Sequence, residues 1–154
     1  MHNEYRFVDR WFVHAPLEEA YEVVGDTLGY PAWWGDVFVS VEGDGGPPRP
    51  GRHVQIVSRG LLPYLLRWEA EVADAEAPHR FSFTMTGDFV GSGSWSFESA
   101  EGGTNAVFEF CPRVEKPGVK QLSPLLKPVF RWNHRWAMER GERGLDELLA
   151  RGAR

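Results

Sequence analysis

The feature that most constrains the fold is a change in the spacing of apolar residues near residue 123. Between residues 36 and 115, apolar and polar residues alternate in six runs separated by clusters such as GDGGPPRPG and EGGTN. No helix-length pattern lies between these runs, so we expect strands joined by hairpins in an antiparallel sheet. From Ser123 the apolar residues recur every three or four positions over roughly 27 residues, which predicts one long helix.

The strands and short helices follow from the same patterns. The six runs predict strands over 36–43, 51–58, 62–75, 79–87, 89–99 and 104–115. An earlier alternation over 5–15 predicts a first strand, which brings the total to seven. PLEEAYEVVGD at 16–26 predicts a short helix because Pro16 suits a first helical position and acidic residues follow it. YPAWWG at 30–35 has the length of about one helical turn.

The long helix carries residues that should affect its ends and its packing. Ser123 and Pro124 form a suitable cap and first position, and Pro128 should bend or delay the opening turns. Gly141 and Gly144 each weaken a helix by about 1 kcal/mol relative to Ala. The same two glycines also allow another backbone to approach the helix closely.

A more specific pattern lies within residues 12–37, FVHAPLEEAYEVVGDTLGYPAWWGDV. A strand ends in Ala-Pro, a short helix with an Asp near its end follows, and a Tyr-Pro-x-Trp corner leads to the second strand; these positions are Ala15, Pro16, Asp26, Tyr30, Pro31 and Trp33. Together with the order of elements, the pattern resembles the START-like (SRPBCC) superfamily and, within it, the polyketide cyclase/dehydrase-like family.

The resemblance implies a fold and a cavity without fixing one reaction. The implied fold is α+β: a helix-grip domain with a seven-stranded antiparallel sheet wrapped around the long C-terminal helix, and two short helices between strands 1 and 2. We expect a single domain over residues 1–154, with an apolar cavity that opens near the short helices. The superfamily includes lipid carriers, hormone receptors, aromatase/cyclases and chaperone activators, so the reaction stays open.

Candidate ligand-binding residues follow from the alternation of the strands. Seven Trp and ten Phe must either pack together or line a cavity, which we expect to measure several hundred Å³. One face of each strand, one face of the long helix and the Trp corner should supply its walls. The predicted residues are Trp34, Tyr64, Leu66, Trp68, Phe83, Met85, Trp95, Phe108, Phe130 and Asn133.

The adjacent indoles of Trp33 and Trp34 pose a separate question, because neighbouring residues on a helical turn or a strand do not both face inward. Trp34, with Val37, should pack inward, while Trp33 covers the first short helix or stays partly exposed. The alternative is that both indoles are packed in the core.

Catalytic and metal chemistry find little support in the sequence. The five His show no HExxH or paired-ligand spacing, so we expect no metal and no cofactor. Cys111 lies on the face opposite the predicted interior, and no GxSxG elbow is present. The predicted inner faces hold no titratable acid or base, and His134 should lie at the helix flank. Tyr64 and Asn133 are the polar groups that could contact a ligand.

Three functions therefore remain open. The first is binding or carriage of a small hydrophobic molecule, either a lipid or a polyketide-like compound. The second is an aromatase/cyclase-type reaction in the same cavity, and the third is a protein-interaction module with a filled core. Each has a different partner: a ligand, a substrate or another protein.

Charge and hydropathy limit the partners. A net charge of −5 argues against nucleic acid, and the longest apolar run, LLPYLL at 61–66, is too short to span a bilayer. The N-terminus lacks the apolar segment of a signal peptide, and one cysteine fits a reducing compartment, so we expect a cytoplasmic protein. Basic residues gather from Lys127 onward, which is typical of a solvated helix face and is also compatible with a membrane surface or an acidic partner.

Overall fold

A computed structural model describes residues 4–60 and 64–152, and its elements occur in the predicted order. Strand β1 (Phe7–Val13) is followed by helix α1 (Leu17–Gly25), a 3-10 turn (Thr27–Gly29) and helix α2 (Tyr30–Trp33). Six strands follow: β2 (Phe38–Gly43), β3 (His53–Ser58), β4 (Leu66–Glu76), β5 (Arg80–Gly87), β6 (Phe89–Ala100) and β7 (Gly103–Val114). Helix α3 (Val119–Gly152) ends the described chain.

The sheet is antiparallel throughout and has the order β1-β7-β6-β5-β4-β3-β2. Strands β2 to β7 are neighbours in sequence and in space, as hairpin connections require. The segment with α1 and α2 carries the chain from β1 at one edge to β2 at the other edge. The first and last strands of the sequence therefore lie side by side, and α3 follows directly from β7.

The register confirms the predicted alternation. Trp95 in β6 lies opposite Phe81 in β5 and Phe108 in β7, and all three are buried. The residues of opposite parity, such as Arg67, Thr84 and Ser96, are exposed. One face of the sheet thus holds aromatic side chains, and the other face is polar.

Helix α3 begins earlier than predicted, at Val119 instead of Ser123, and its 34 residues extend over about 50 Å. Gly118 precedes it with φ +87°, a backbone conformation that favours glycine. The Gly118 N–H donates to Oε1 of Gln121 at 2.7 Å, which satisfies one of the free donors at the start of a helix. The predicted cap at Ser123 is therefore wrong, because the Pro117-Gly118 turn already starts the helix.

The C-terminal half of α3 packs against the Trp corner through its two glycines. A Cβ atom at Gly144 would overlap the carbonyl oxygen of Trp33, and one at Gly141 would overlap the Trp34 ring. Nε1 of Trp34 donates a hydrogen bond to the Ala137 carbonyl oxygen at 2.8 Å. The expected close approach of another backbone is confirmed at Gly144, whereas the group that approaches Gly141 is a side chain.

Replacing Gly144 with Ala should destabilise the protein even though Ala favours a helix by about 1 kcal/mol. The added methyl group meets backbone rather than a flexible side chain. We expect Gly144→Ala to lower the free energy of unfolding by about 2 kcal/mol or more, measured by urea unfolding. The control Glu139→Ala, at an exposed position of the same helix, should change it by less than about 0.5 kcal/mol. A Gly144→Ala variant as stable as the parent would contradict this packing.

Candidate functional site

A cavity of about 170 Å³ lies between the apolar face of the sheet and α3. Most of its walls are aromatic and aliphatic side chains from β3 to β7, closed by α3 on the opposite side. The volume is smaller than the several hundred Å³ expected, because stacked rings occupy part of the space. Trp95 and Phe108, for example, stack with ring centroids 4.5 Å apart and planes 23° apart.

The structure places nine of the ten candidate ligand-binding residues in the cavity wall; they are Trp34, Tyr64, Leu66, Trp68, Phe83, Trp95, Phe108, Phe130 and Asn133. Met85 lies outside the wall, and only 2% of its surface is exposed. Its partners on the two neighbouring strands are Ala70 and Gly91. These small residues leave space for the Met85 side chain within the core, so it does not reach the cavity.

The double Trp corner differs from the prediction in one respect. Trp34 lines the cavity with Val37, as expected, but Trp33 is also buried and stacks on Trp34 with ring centroids 5.4 Å apart. Trp34 follows the last residue of α2 with φ −123° and ψ 34°, which departs from helical geometry. Because the backbone turns between the two residues, both indoles face the interior.

A buried hydroxyl group provides one polar contact in the cavity wall. Nε1 of Trp68 donates to Oγ of Ser58 at 2.9 Å, and both residues are buried and line the cavity. Because the Ser58 oxygen accepts this bond, its own hydrogen is available for an acceptor on a bound molecule.

A buried cation, Arg52, also lines the cavity and is only 4% exposed. Its Nη1 donates to the carbonyl oxygens of Gly25 at 2.7 Å and Gly46 at 2.8 Å, and its Nη2 donates to Oγ1 of Thr27 at 2.8 Å. Burial lowers the pKa of Arg52 from its ordinary value. Within the described ranges no carboxylate forms an ion pair with Arg52, so this positive charge has neutral hydrogen-bond partners.

An acid–base pair, Asp9 and His134, joins β1 to α3 beside the cavity. Nε2 of His134 lies 2.6 Å from Oδ2 of Asp9, and the His134 side chain is 14% exposed and lines the cavity. The imidazole stacks on Phe7 with ring centroids 3.9 Å apart. A carboxylate accepts hydrogen bonds, so Nε2 carries the hydrogen, and Nδ1 of the neutral ring is an acceptor.

Both the cation and the acid–base pair contradict sequence expectations. The sequence pattern predicts no titratable group on the inner faces and places His134 at the helix flank. Asp9 nevertheless has the same parity as Phe7 and Trp11 along β1, and Arg52 has the same parity as Val54. The alternation of the strands therefore assigns Asp9 and Arg52 to the inner face. This signal is missed when polar residues are assumed to face water whatever their position.

The remaining polar groups have more limited roles. Burial, with a smaller contribution from Tyr5, raises the pKa of Tyr64 to about 12, so its hydroxyl stays protonated at neutral pH. Burial raises the pKa of the Cys111 thiol, with nearby Glu109 adding to the shift, which disfavours the nucleophilic thiolate. Across residues 4–60 and 64–152, no group of three His, Cys, Asp or Glu side chains is arranged to hold a metal ion.

A family model described as polyketide cyclase/dehydrase and lipid transport matches residues 6–150. The solved structure of TTHA0849 from Thermus thermophilus is 22% identical, with a TM-score of 0.76 over 98% of this chain and 99% of that chain. The Zhui aromatase/cyclase from Streptomyces sp. R1128 is 14% identical, with a TM-score of 0.75 over 98% of this chain and 96% of that chain.

Protein Ms6760 from Mycobacterium smegmatis is 18% identical, with a TM-score of 0.67 over 98% of this chain and 93% of that chain. At these identities the likeness shows the helix-grip fold alone. No curated protein matches the chain. In the part of the chain that the structure describes, no helix is both long enough and apolar enough to cross a membrane.

Removing the buried cation should destabilise the protein. Arg52→Met leaves the Gly25 and Gly46 carbonyl oxygens without this donor, and we expect the free energy of unfolding to fall by about 3 kcal/mol in urea unfolding. Arg49→Met is the matched control, because exposed Arg49 also donates to backbone carbonyl oxygens in the same loop. That variant should change stability by less than about 0.5 kcal/mol. Equal losses of unfolding free energy in both variants would show that burial of Arg52 does not increase its contribution to stability.

Proposed function

The chain belongs to the polyketide cyclase/dehydrase and lipid transport family, and we propose that it reversibly binds a small, mostly apolar molecule in the cavity between the sheet and α3. The observation that supports this function is the apolar space that side chains from all seven strands and α3 leave between them. A core that only stabilised the fold would gain free energy by filling that space, because an empty cavity costs packing contacts.

The volume and the wall chemistry favour a compact ligand. About 170 Å³ suits one or two fused rings, whereas a long acyl chain requires the mouth to open. Burying roughly 200 Å² of ligand surface at about 25 cal/mol per Å² yields about 5 kcal/mol before association entropy is subtracted. Ser58 and Arg52 offer hydrogen-bond donors and a positive charge, which favour a ligand that carries a carbonyl or carboxylate oxygen.

Filling the cavity with a larger side chain should remove the space that a ligand would occupy. Ala70 in β4 lines the cavity, and Ala73 in the same strand is exposed. We expect Ala70→Phe to weaken binding of the bicyclic ketone 2-tetralone at least tenfold in isothermal titration calorimetry, because the new ring occupies the ligand's space. Ala73→Phe should bind as the parent does. The proposal fails if the parent shows no saturable binding of 2-tetralone or related naphthalene derivatives, or if Ala70→Phe binds equally well.

A second function, acid–base catalysis on the bound molecule, is favoured by the Asp9–His134 pair. The Asp9 carboxylate accepts a hydrogen bond from the Nε2–H of His134, which leaves Nδ1 as the basic nitrogen. Nδ1 could remove a proton from the carbon next to a ligand carbonyl group, forming an enolate, and return a proton in the reverse step. This reaction class would fit an aromatase/cyclase, the activity named for Zhui, but the support comes from the residue pair and not from the shared fold.

Proton exchange into 2-tetralone tests this second function directly. In D₂O the protein should accelerate loss of the α-proton NMR signals beyond the rate in buffer, and His134→Gln or Asp9→Asn should reduce the acceleration tenfold or more. His14→Gln is the matched control, because His14 is also paired with an aspartate, Asp146, but is exposed and lies outside the cavity wall. Unchanged exchange in His134→Gln, with binding retained, would exclude His134 as the base and leave the binding function intact.

A further inference from the structure

The outward-facing side of the first half of α3 carries two strongly exposed apolar residues. Leu125 is 80% exposed and Trp132 is 57% exposed, and their separation of seven residues places them on one side of the helix. Exposed residues Pro128, Arg131 and Arg135 share this side. We call the set Leu125, Pro128, Arg131, Trp132 and Arg135 the Trp132 face.

The Trp132 face is positively charged although the chain as a whole is negative. Residues 116–138 contain five Lys or Arg and no Asp or Glu, whereas the net charge of the chain is −5. Lys116 and Lys120 are engaged by Asp88 and Glu115. Arg131 and Arg135 form no ion pair with any residue that the structure describes, so their charges are available to an external partner.

The same segment of α3 borders the cavity on its other side. Phe130, Asn133 and His134 alternate with the exposed residues and line the cavity wall. Leu65 is also exposed and follows Tyr64, another wall residue. A partner on the Trp132 face would therefore lie close to the segments that enclose the ligand.

We propose that the Trp132 face docks the protein peripherally onto an anionic phospholipid membrane. Interfacial binding combines electrostatic attraction with burial of apolar side chains. Arginines that flank exposed Trp and Leu on one side of a helix provide both. The guanidinium groups attract anionic headgroups, and the indole lies at the boundary between headgroups and acyl chains. The face is a convex stripe on a single helix, which suits a flat lipid surface. Docking is independent of which molecule the cavity binds.

Vesicle co-sedimentation of the full chain tests the proposal. The protein should bind vesicles of phosphatidylcholine and phosphatidylserine at a 7:3 ratio and should bind pure phosphatidylcholine much less. Binding should weaken in 0.5 M NaCl, because salt screens the charges. Each cation near such a surface contributes a factor of about five, so Arg131→Ala with Arg135→Ala should weaken partitioning about 30-fold. Trp132→Ala should weaken it on the order of tenfold.

Matched control variants distinguish docking through the Trp132 face from nonspecific charge attraction and from ligand binding. Arg10→Ala with Arg67→Ala removes the same charge from exposed positions on the outer face of the sheet and should change partitioning less than twofold. Ala70→Phe should dock as the parent does. Brominated lipids should quench part of the parent's Trp emission, and Trp132→Phe should lose that quenching.

Three results would overturn the proposal: no binding to the anionic vesicles, equal binding to both vesicle types, or an equal loss in the Arg10/Arg67 control. Binding to an acidic protein without binding to vesicles would assign the face to a protein partner and would also overturn membrane docking. Because Ala70→Phe tests the cavity separately, failure of docking leaves the ligand-binding function untouched.

Discussion

The position of α3 depends on the close contact between its glycines and the Trp corner. Gly141 and Gly144 bring the helix backbone against Trp34 and Trp33, and Nε1 of Trp34 donates to the Ala137 carbonyl oxygen one turn away. These contacts fix the middle and the C-terminal half of the helix near β1. The preceding half then runs over the aromatic face of the sheet, and the cavity is the space that the helix does not fill. Packing at one end of α3 thus determines the open volume at the other end.

A second set of contacts attaches α3 to the edge strand β1. The Phe12 N–H donates to Oε2 of Glu142 at 3.0 Å, Nδ1 of His14 lies 3.0 Å from Oδ1 of Asp146, and His134 contacts Asp9. An edge strand exposes unpaired backbone groups that can recruit other strands, and a helix that bonds to the edge limits this risk. The Asp9–His134 pair therefore helps to attach α3 to the sheet, and the His134 ring forms part of the cavity wall.

The sequence predicted the sheet well because one physical rule, alternation, controls it. The parity of Phe81, Trp95 and Phe108 follows from a period of two and needs no knowledge of distant contacts. The start of α3 was missed because Ser123-Pro124 resembles a cap as closely as the Pro117-Gly118 turn does. Trp33 was misplaced because its direction depends on the backbone angles at Trp34, which the sequence does not specify. The cavity volume depends on how far stacked rings fill the interior, and composition carries no information about that.

The polar groups at the cavity and beside it lie toward different edges of the sheet. Asp9 belongs to the edge strand β1, and Arg52 directly precedes β3, next to the opposite edge strand β2. Four strands with aromatic or aliphatic inner faces lie between them. The cavity is consequently bordered by the His134 ring toward one side and by a desolvated cation toward the other, with apolar walls between. The hydrogen-bond acceptors that hold the cation are neutral, and the carboxylate of Asp26 acts on it through space without an ion-pair contact among the described residues. The cavity is therefore electrostatically asymmetric along the sheet, a property that apolar walls alone do not provide.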